Sequence, residues 1–429
     1  MPTDPPVIFL HVGAMKTGTT FLQQLMSANR DTLAEAGYLF PGKRWGDQTR
    51  ATRDVLGLTS DPRVKARTSG MWARLSRQML AHPGRASVFS MEFLSFAGGR
   101  EARRVVRSLD GATVHVVLTV RDAIAGLPSQ WQTNARNNGR ASWPEFVEAA
   151  TAASHRSRWR LRHRDGGAVG GAYLRAQDVP RMLRAWGSAV PAGRLHVVTV
   201  PPRGADRMLL WERFAEVLEV DPAACRRPVE GANNSLGHAS ADLMRRVNAR
   251  LGAVRQSDYD PTMKYHLARR VLSPRAAEES RARLDLSALE LGAEWNRRVR
   301  AAVAESGARL VGDPADLPDT IPPALLADAP TRLTDPDPAE VLAAAAAART
   351  GLGELVEART AQLRARGAGD GRSARDASAA GPDVRGRATD PVDAAVDEVA
   401  GLASTAIALY RRLREVQAPQ RARGRVASG

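Results

Sequence analysis

The stretch Gly13, Ala14, Met15, Lys16, Thr17, Gly18, Thr19, Thr20 combines residue types that can hold an anion. Glycines at 13 and 18 let the backbone turn tightly and approach a ligand closely. Successive backbone N–H groups, with the start of a following helix, then point at one place, and Lys16 and the threonine hydroxyls add donors around it. Lys16 is informative in itself. The basic residues are almost all arginine, with lysine only at positions 16, 43, 65 and 264, and a compact ammonium does not substitute for a planar guanidinium beside a phosphate cluster. The residue order departs from the nucleotide pattern G-x-x-x-x-G-K-[ST]. Here the lysine precedes the second glycine and the loop is shorter, so a triphosphate would be held poorly.

A second pair can hold another anion. Arg121 directly follows the apolar run VHVVLTV, and Ser129 lies eight residues on, in a helix expected to begin near 123–128. Two helical turns return a residue to the same face, so the two side chains can converge on one phosphate. The plainer alternative is a surface arginine and a helix-face serine. Cys225, the single cysteine, has no companion for a disulfide or a zinc site and reads as a buried structural thiol.

Such residues need a scaffold that brings strand ends together. Residues 7–12, VIFLHV, after Pro5 and Pro6, read as a strand buried on both faces. The helix after the loop carries Phe21, Leu22, Leu25 and Met26 at helical spacing; Thr19 or Thr20 can cap its start, and Gly37 punctuates the turn beyond it. Further buried strands are expected at 87–92 (SVFSME), 114–120 (VHVVLTV) and 195–200 (LHVVTV), the last between amphipathic helices around 180–186 and 209–218. Strands alternating with helices predict an α/β fold, a parallel sheet covered by helices on both faces.

Composition changes after about residue 310. The expected organisation is one domain over 1–312, a Pro/Asp-rich linker over 313–338, an alanine-rich helix over 339–365, a Gly-, Ser-, Asp- and Arg-rich segment over 366–390 expected to be disordered, and an amphipathic helix over 391–417. In that last helix Val392, Val396, Val399, Ala403, Ala406, Tyr410 and Leu413 alternate steps of four and three. This is the spacing of a coiled-coil seam, which offers self-association; packing back on the domain is the alternative.

Bulk properties limit the function classes. With 429 residues and 43% hydrophobic content, the chain can bury one large core and still carry appendages. No apolar run reaches the roughly 18 residues of a membrane span, and no basic segment precedes the first apolar stretch, so the expectation is a cytoplasmic chain with neither a span nor a signal peptide. The net charge of +16 favours anionic ligands, but the arginine, alanine and glycine bias reads as compositional habit, and nucleic acid is not expected as a partner.

The order Lys-Thr-Gly-Thr-Thr resembles the 5′-phosphosulfate loop of sulfotransferases that use 3′-phosphoadenosine 5′-phosphosulfate (PAPS). Arg121 and Ser129, eight residues apart after an apolar strand, resemble the 3′-phosphate site of the same family. The stretches AGYLFPG, SMEFLS, PSQWQ and RLHVVTVPP look similar to segments of bacterial sulfotransferase-like proteins. One departure stands out: the family commonly has proline two residues after the arginine, where this chain has Ala123 and, later, Pro128. The resemblance implies a P-loop-type, sulfotransferase-like sheet and a PAPS-dependent transferase without a metal. The donor would be held by Lys16, Thr17, Gly18, Thr19, Thr20, Arg121 and Ser129, with Lys16 at the oxygen bridging phosphorus and sulfur.

Under that resemblance the acceptor is a hydroxyl or amine of a glycan, lipid, peptide or small metabolite, and its proton must go to a base as it attacks. Glu92, at the end of SVFSME, is the preferred base; an N-cap or ion-paired carboxylate is the alternative. His11, two residues before Gly13, either orients the acceptor, acts as base, or is a hydrogen-bonded structural histidine. Trp131 and Gln132 are candidates for contact with the adenine or the acceptor, against Trp131 as core. Asn233, Asn234, Ser235 and Gly237 form a polar loop that closes over the nucleotide or is a simple turn. Two other functions compete. One is a small-molecule or nucleoside kinase, with Asp122 as its magnesium carboxylate. The other is a non-catalytic donor-binding module whose C-terminal segments assemble a complex.

Overall fold

The structure is a computed structural model and describes residues 4–59, 61–155, 168–227, 235–366 and 390–426. Six strands, β1 (Val7–His11), β2 (Tyr38–Leu39), β3 (Ala86–Ser90), β4 (Thr113–Val120), β5 (Leu195–Thr199) and β6 (Arg309–Val311), form one parallel sheet in the order β2-β3-β1-β4-β5-β6. The fold is α/β, a parallel sheet flanked by helices, with a helical C-terminal region. β3, β4 and β5 lie within two residues of their expected positions. β2 and β6, two and three residues long, were not expected, because so short a strand leaves no periodicity to read.

The described chain divides into two compact units. The first comprises Met1–Leu127, Ala150–Gly231 and Asp285–Ala329 and contains the whole sheet. Its helices include α1 (Thr19–Ala28), α2 (Arg30–Glu35), α3 (Trp45–Leu56), α4 (Pro62–Thr68), α5 (Met71–Leu80) and α6 (Gly99–Arg107). α7 (Ala123–Arg136) and α8 (Trp143–His155) each run across a unit boundary. α9 (Ala168–Gln177), α10 (Val179–Gly187) and α11 (Met208–Leu218) complete the numbered helices of this unit, which also holds a helix at Leu286–Ser306.

Strands buried on both faces explain their near-continuous apolar sequences. On one face Phe9, Val88, Val117 and Val198 pack with Leu22, Leu25 and Met26 of α1 and Trp211, Phe214 and Leu218 of α11. On the other, Phe89 of β3 meets Trp72 of α5 edge-on, ring centroids 5.3 Å apart. Part of the expected linker belongs to this unit: Asp316 accepts from Thr199 Oγ1 at 2.6 Å and pairs with Arg213 at 2.5 Å, sealing the end of β5.

β1 lies between β3 and β4, and His11 stands opposite both Ser90 and Val117. The carboxyl ends of the three strands therefore open side by side, and the order reverses direction at β1. In parallel sheets that edge and that reversal are where ligands bind.

The second unit comprises Pro128–Ala149, Ala232–Leu284 and Pro330–Gly429. Residues 128–149 and 232–284 thus group with the C-terminal helices, although no change of composition marks them. α12 (His238–Leu251) packs with helices at Pro338–Arg364 and Pro391–Val426. The seam residues Val392, Val396, Val399, Ala403 and Ala406 are all buried inside this unit. Around them Arg250 pairs with Asp393 and Asp397, Arg349 with Glu398, and the buried Asp258 with Arg411 and Arg414. The apolar residues of the seam are thus covered within the chain, which matches the alternative of packing back and leaves these side chains unavailable for self-association. The segment expected to be disordered, 366–390, lies outside the described residues except at its two ends.

Val399→Asp would place an unpaired carboxylate in the covered seam, and its expected cost is about 3 kcal/mol or more. Chemical denaturation followed by helical circular dichroism measures it; a seam that instead served an intermolecular contact would lose mass in solution without losing folding stability.

Candidate anion-binding site

Residues 12–18 join β1 to α1, and three of them have left-handed backbones: Gly13 (φ 50), Lys16 (φ 65) and Gly18 (φ 81). The backbone angle favours glycine at 13 and 18, and a side chain at either would also have to displace a neighbour. A Cβ at Gly13 would lie 2.6 Å from Thr19 Cγ2, and one at Gly18 would lie 2.3 Å from Leu210 Cδ2. Lys16 adopts the same region with a full side chain, a conformation that costs about 1–2 kcal/mol and is typical of functional loops. Positive φ at 13, 16 and 18 turns the chain tightly between β1 and α1, which lets an anion approach the backbone closely.

The loop leads into α1 without a side-chain cap. Gly18 is the N-cap, Thr19 is the first helical residue, and the N-cap residue supplies no side-chain hydrogen bond. The expected threonine cap is therefore absent, and the helix start presents its donors to whatever occupies the loop. The three threonines differ in what they offer. Thr20 is exposed, Thr19 is buried, and Thr17 is buried with its hydroxyl donating to Ala14 O at 2.6 Å. The Thr17 hydroxyl hydrogen is therefore used within the loop, which leaves its backbone N–H as the donor it could offer a ligand.

Backbone bonds fix the loop to the sheet. Val12 N–H donates to Val117 O at 2.9 Å and Ala14 N–H to Thr119 O at 3.1 Å, extending the β1–β4 ladder past the end of β1. From α9, Ala176 O accepts from Met15 N–H at 3.3 Å and Gln177 Nε2 donates to Met15 O at 2.7 Å.

His11 is wholly buried beneath the loop, Nδ1 2.7 Å from Ser90 Oγ and Nε2 3.2 Å from Thr119 Oγ1, with Phe214 against its ring. Burial pushes its pKa down to about 3, so the imidazole is neutral at ordinary pH. Of the three roles open to it, this geometry matches the hydrogen-bonded structural one.

Glu92 begins a 3₁₀ turn (Glu92–Phe96) directly after β3, but the cap of that turn is Met91. The Glu92 carboxylate accepts one hydrogen bond, from Gln23 Nε2 at 2.9 Å, and has no ion-pair partner among the described residues. Neither plainer alternative, cap or ion pair, is observed. A Cβ on Gly13 would meet Glu92 Cβ at 3.6 Å, so the base of this side chain borders the loop. Gln23, buried on α1, also donates to Ser90 O at 3.0 Å. Its signal in the sequence was a polar residue on the apolar face of a helix, beside Leu22 and Met26.

Arg121 follows β4 on the same sheet edge and is partly buried. Among the described residues it forms no hydrogen bond and no ion pair. Burial pushes its guanidinium pKa down, Asp122 works against that, and Arg203 in the segment after β5 adds to it. Arg203 was missed by sequence reasoning, since one exposed arginine in an arginine-rich chain carries no signal. Asp122 is committed elsewhere: it accepts from Ile124 N–H at 2.9 Å, Ala125 N–H at 3.2 Å and Asn296 Nδ2 at 2.7 Å. These bonds cap α7 where the expected proline is missing.

Ser129 is on α7 in the second unit, its carbonyl accepting from Thr133 Oγ1 at 2.9 Å. Gln132 is on the same helix, partly buried. Trp131 is fully buried, its Nε1 donating to Ala141 O at 3.0 Å and its ring against Trp143 and His238, so it is core and not a face for an adenine. Gly237 is the N-cap of α12 and Ser235 is partly buried, while Asn233 and Asn234 lie outside the described residues. Cys225 is buried and burial pushes its thiol up to about 12, which suits an inert thiol. Among the described residues no group of three or more His, Cys, Asp or Glu side chains is arranged to hold a metal, and no helix is long and apolar enough to cross a membrane.

Compared with known proteins, the chain matches no family model, no curated protein and no solved structure.

Two outcomes follow from the loop itself. Gly18→Ala, which forces a Cβ into the left-handed region against Leu210, should cost about 1–2 kcal/mol and weaken anion binding, as thermal denaturation and calorimetric titration would show. His11 makes the fold acid-sensitive: the unfolded chain takes up a proton below about pH 6.5 that the native state refuses until about pH 3. Stability should therefore fall as pH falls through that window, and His11→Gln should flatten this part of the stability–pH curve.

Proposed function

We propose that the chain is a PAPS-dependent sulfotransferase on a P-loop-type sheet, moving a sulfo group to a hydroxyl or amine of a glycan, lipid or small-metabolite acceptor. The observation that carries the reading is Arg121, partly buried and with no hydrogen bond or ion pair among the described residues, on the sheet edge that also bears the left-handed loop. Two anion-seeking groups on one edge suit a ligand with two separated anionic groups. The residue order of the loop, with its lysine ahead of the second glycine, disfavours a triphosphate. The commitment of Asp122 to capping α7 removes the carboxylate that a kinase would have turned toward magnesium.

The roles follow from chemistry at named atoms. The donor, when bound, supplies an electrophilic sulfur with a phosphate as leaving group. The N–H groups of Lys16, Thr17, Gly18, Thr19 and Thr20 hold the 5′-phosphate, and the Lys16 ammonium stabilises charge on the bridging oxygen as it leaves. Arg121 holds the 3′-phosphate through charge-assisted hydrogen bonds. Glu92, steadied by Gln23, accepts the acceptor's proton.

Calorimetric titration with adenosine 3′,5′-bisphosphate, and separately with ATP plus magnesium, tests the reading. The bisphosphate should bind without magnesium, and Arg121→Ala should weaken it by about 10- to 100-fold, the worth of a hydrogen bond to a charged group. Preference for ATP with magnesium would overturn the reading.

A further inference from the structure

Four buried side chains beneath the loop share their protons in only one way. Ser90, His11, Thr119 and Thr17 are each at most 1% exposed, so bulk solvent does not reach them and they bond to one another. Thr17 Oγ1 lies 2.6 Å from Ala14 O, and a carbonyl cannot donate, so the single hydroxyl hydrogen of Thr17 is spent there. Thr17 Oγ1 also lies 2.6 Å from Thr119 Oγ1, so Thr119 must be the donor in that pair. With its only hydrogen given to Thr17, Thr119 can only accept from His11 Nε2, 3.2 Å away. His11 then carries its hydrogen on Nε2, and its bare Nδ1 accepts from Ser90 Oγ at 2.7 Å. The bonds run one way: Ser90 to His11, His11 to Thr119, Thr119 to Thr17, Thr17 to Ala14.

We propose that Thr119 is a positioning residue for the anion loop. Its hydroxyl joins the His11 imidazole to Thr17, fixes the Nε2–H tautomer of His11, and keeps the Ala14 carbonyl turned to the buried side so that an anion meets N–H groups instead of an oxygen. This rests on reading the loop as an anion cradle. Thr119 touches no ligand; it acts through Thr17 and Ala14, and it binds the loop twice, since its own carbonyl accepts from Ala14 N–H at 3.1 Å. Both ends of the chain of bonds are anchored. Ser90 N–H donates to Gln48 Oε1 at 2.8 Å and Ser90 O accepts from Gln23, while Ala14 is pinned between Thr17 and Thr119. Removing the hydroxyl leaves the His11 Nε2–H buried without an acceptor, which favours the other tautomer and releases Thr17.

The state of His11 in the whole parent protein tests the chain of bonds without any variant of Thr119. Nitrogen-15 NMR of histidine-labelled protein, with the His11 signals identified through His11→Gln, should show a neutral ring protonated at Nε2 between pH 5 and 8. An Nδ1–H tautomer, or titration near pH 6.5, overturns the proposal. The positioning role is read with adenosine 3′,5′-bisphosphate as probe, on Thr119→Val and Thr119→Ser, beside their melting temperatures. Thr119→Val should weaken binding about tenfold and Thr119→Ser should stay within about twofold of the parent. If Thr119→Val melts lower but binds the probe as the parent does, the residue is merely structural and the proposal fails. If the parent binds no bisphosphate, the reading of the cradle falls, and the positioning role falls with it, whatever the histidine shows.

Discussion

Everything at the carboxyl edge of the sheet depends on one constraint: a loop of three left-handed residues has to be held against its own conformational preference. Lys16 has a side chain and still sits at φ 65, which an unsupported backbone would abandon. The support comes from below. β1, β3 and β4 end side by side, and the polar groups they bring to that corner are satisfied by one another, away from water. Buried donors and acceptors that lose their partners cost more than exposed ones, so the corner keeps one arrangement, and the loop inherits it.

The same corner separates roles that the residue types alone leave mixed. His11 and Glu92 are both titratable residues near the loop, but one is sealed and neutral, whereas the other has its Cβ beside Gly13 and its carboxylate accepting from Gln23. Asp122 and Arg121 are adjacent in sequence and opposite in availability: the aspartate is consumed by the start of α7 and Asn296, and the arginine has no partner among the described residues. Availability for a ligand is set by which hydrogen bonds the fold has already used.

Much of this was legible in the sequence where a signal had length or a rare residue. β1, β3, β4 and β5 are strands of five residues or more built largely from apolar and β-branched residues, and the loop stood out through Lys16 in a chain that uses arginine for almost all of its basic residues. β2 and β6 were illegible because two or three residues cannot show a period. Thr119 was illegible for another reason: a threonine in a strand is ordinary, and its meaning arises only from what lies opposite it, whereas Gln23 left a faint signal as a polar residue on an apolar helix face. The seam of the last helix shows the limit of periodicity. Its spacing correctly marked an apolar face, but a sequence pattern does not say whether another chain or the same one covers it, and here α12 and the alanine-rich helix do.

The most direct measure of the central claim is group transfer itself. Extract incubated with sulfur-35-labelled PAPS, with the protein and without it, should yield a labelled product that appears only with the protein. Lys16→Ala should lower the rate of labelling about 100-fold, as expected when one preorganised charge at a leaving group is lost. A chain that transfers no label to any product, or a Lys16→Ala variant that labels as fast as the parent, would contradict the account.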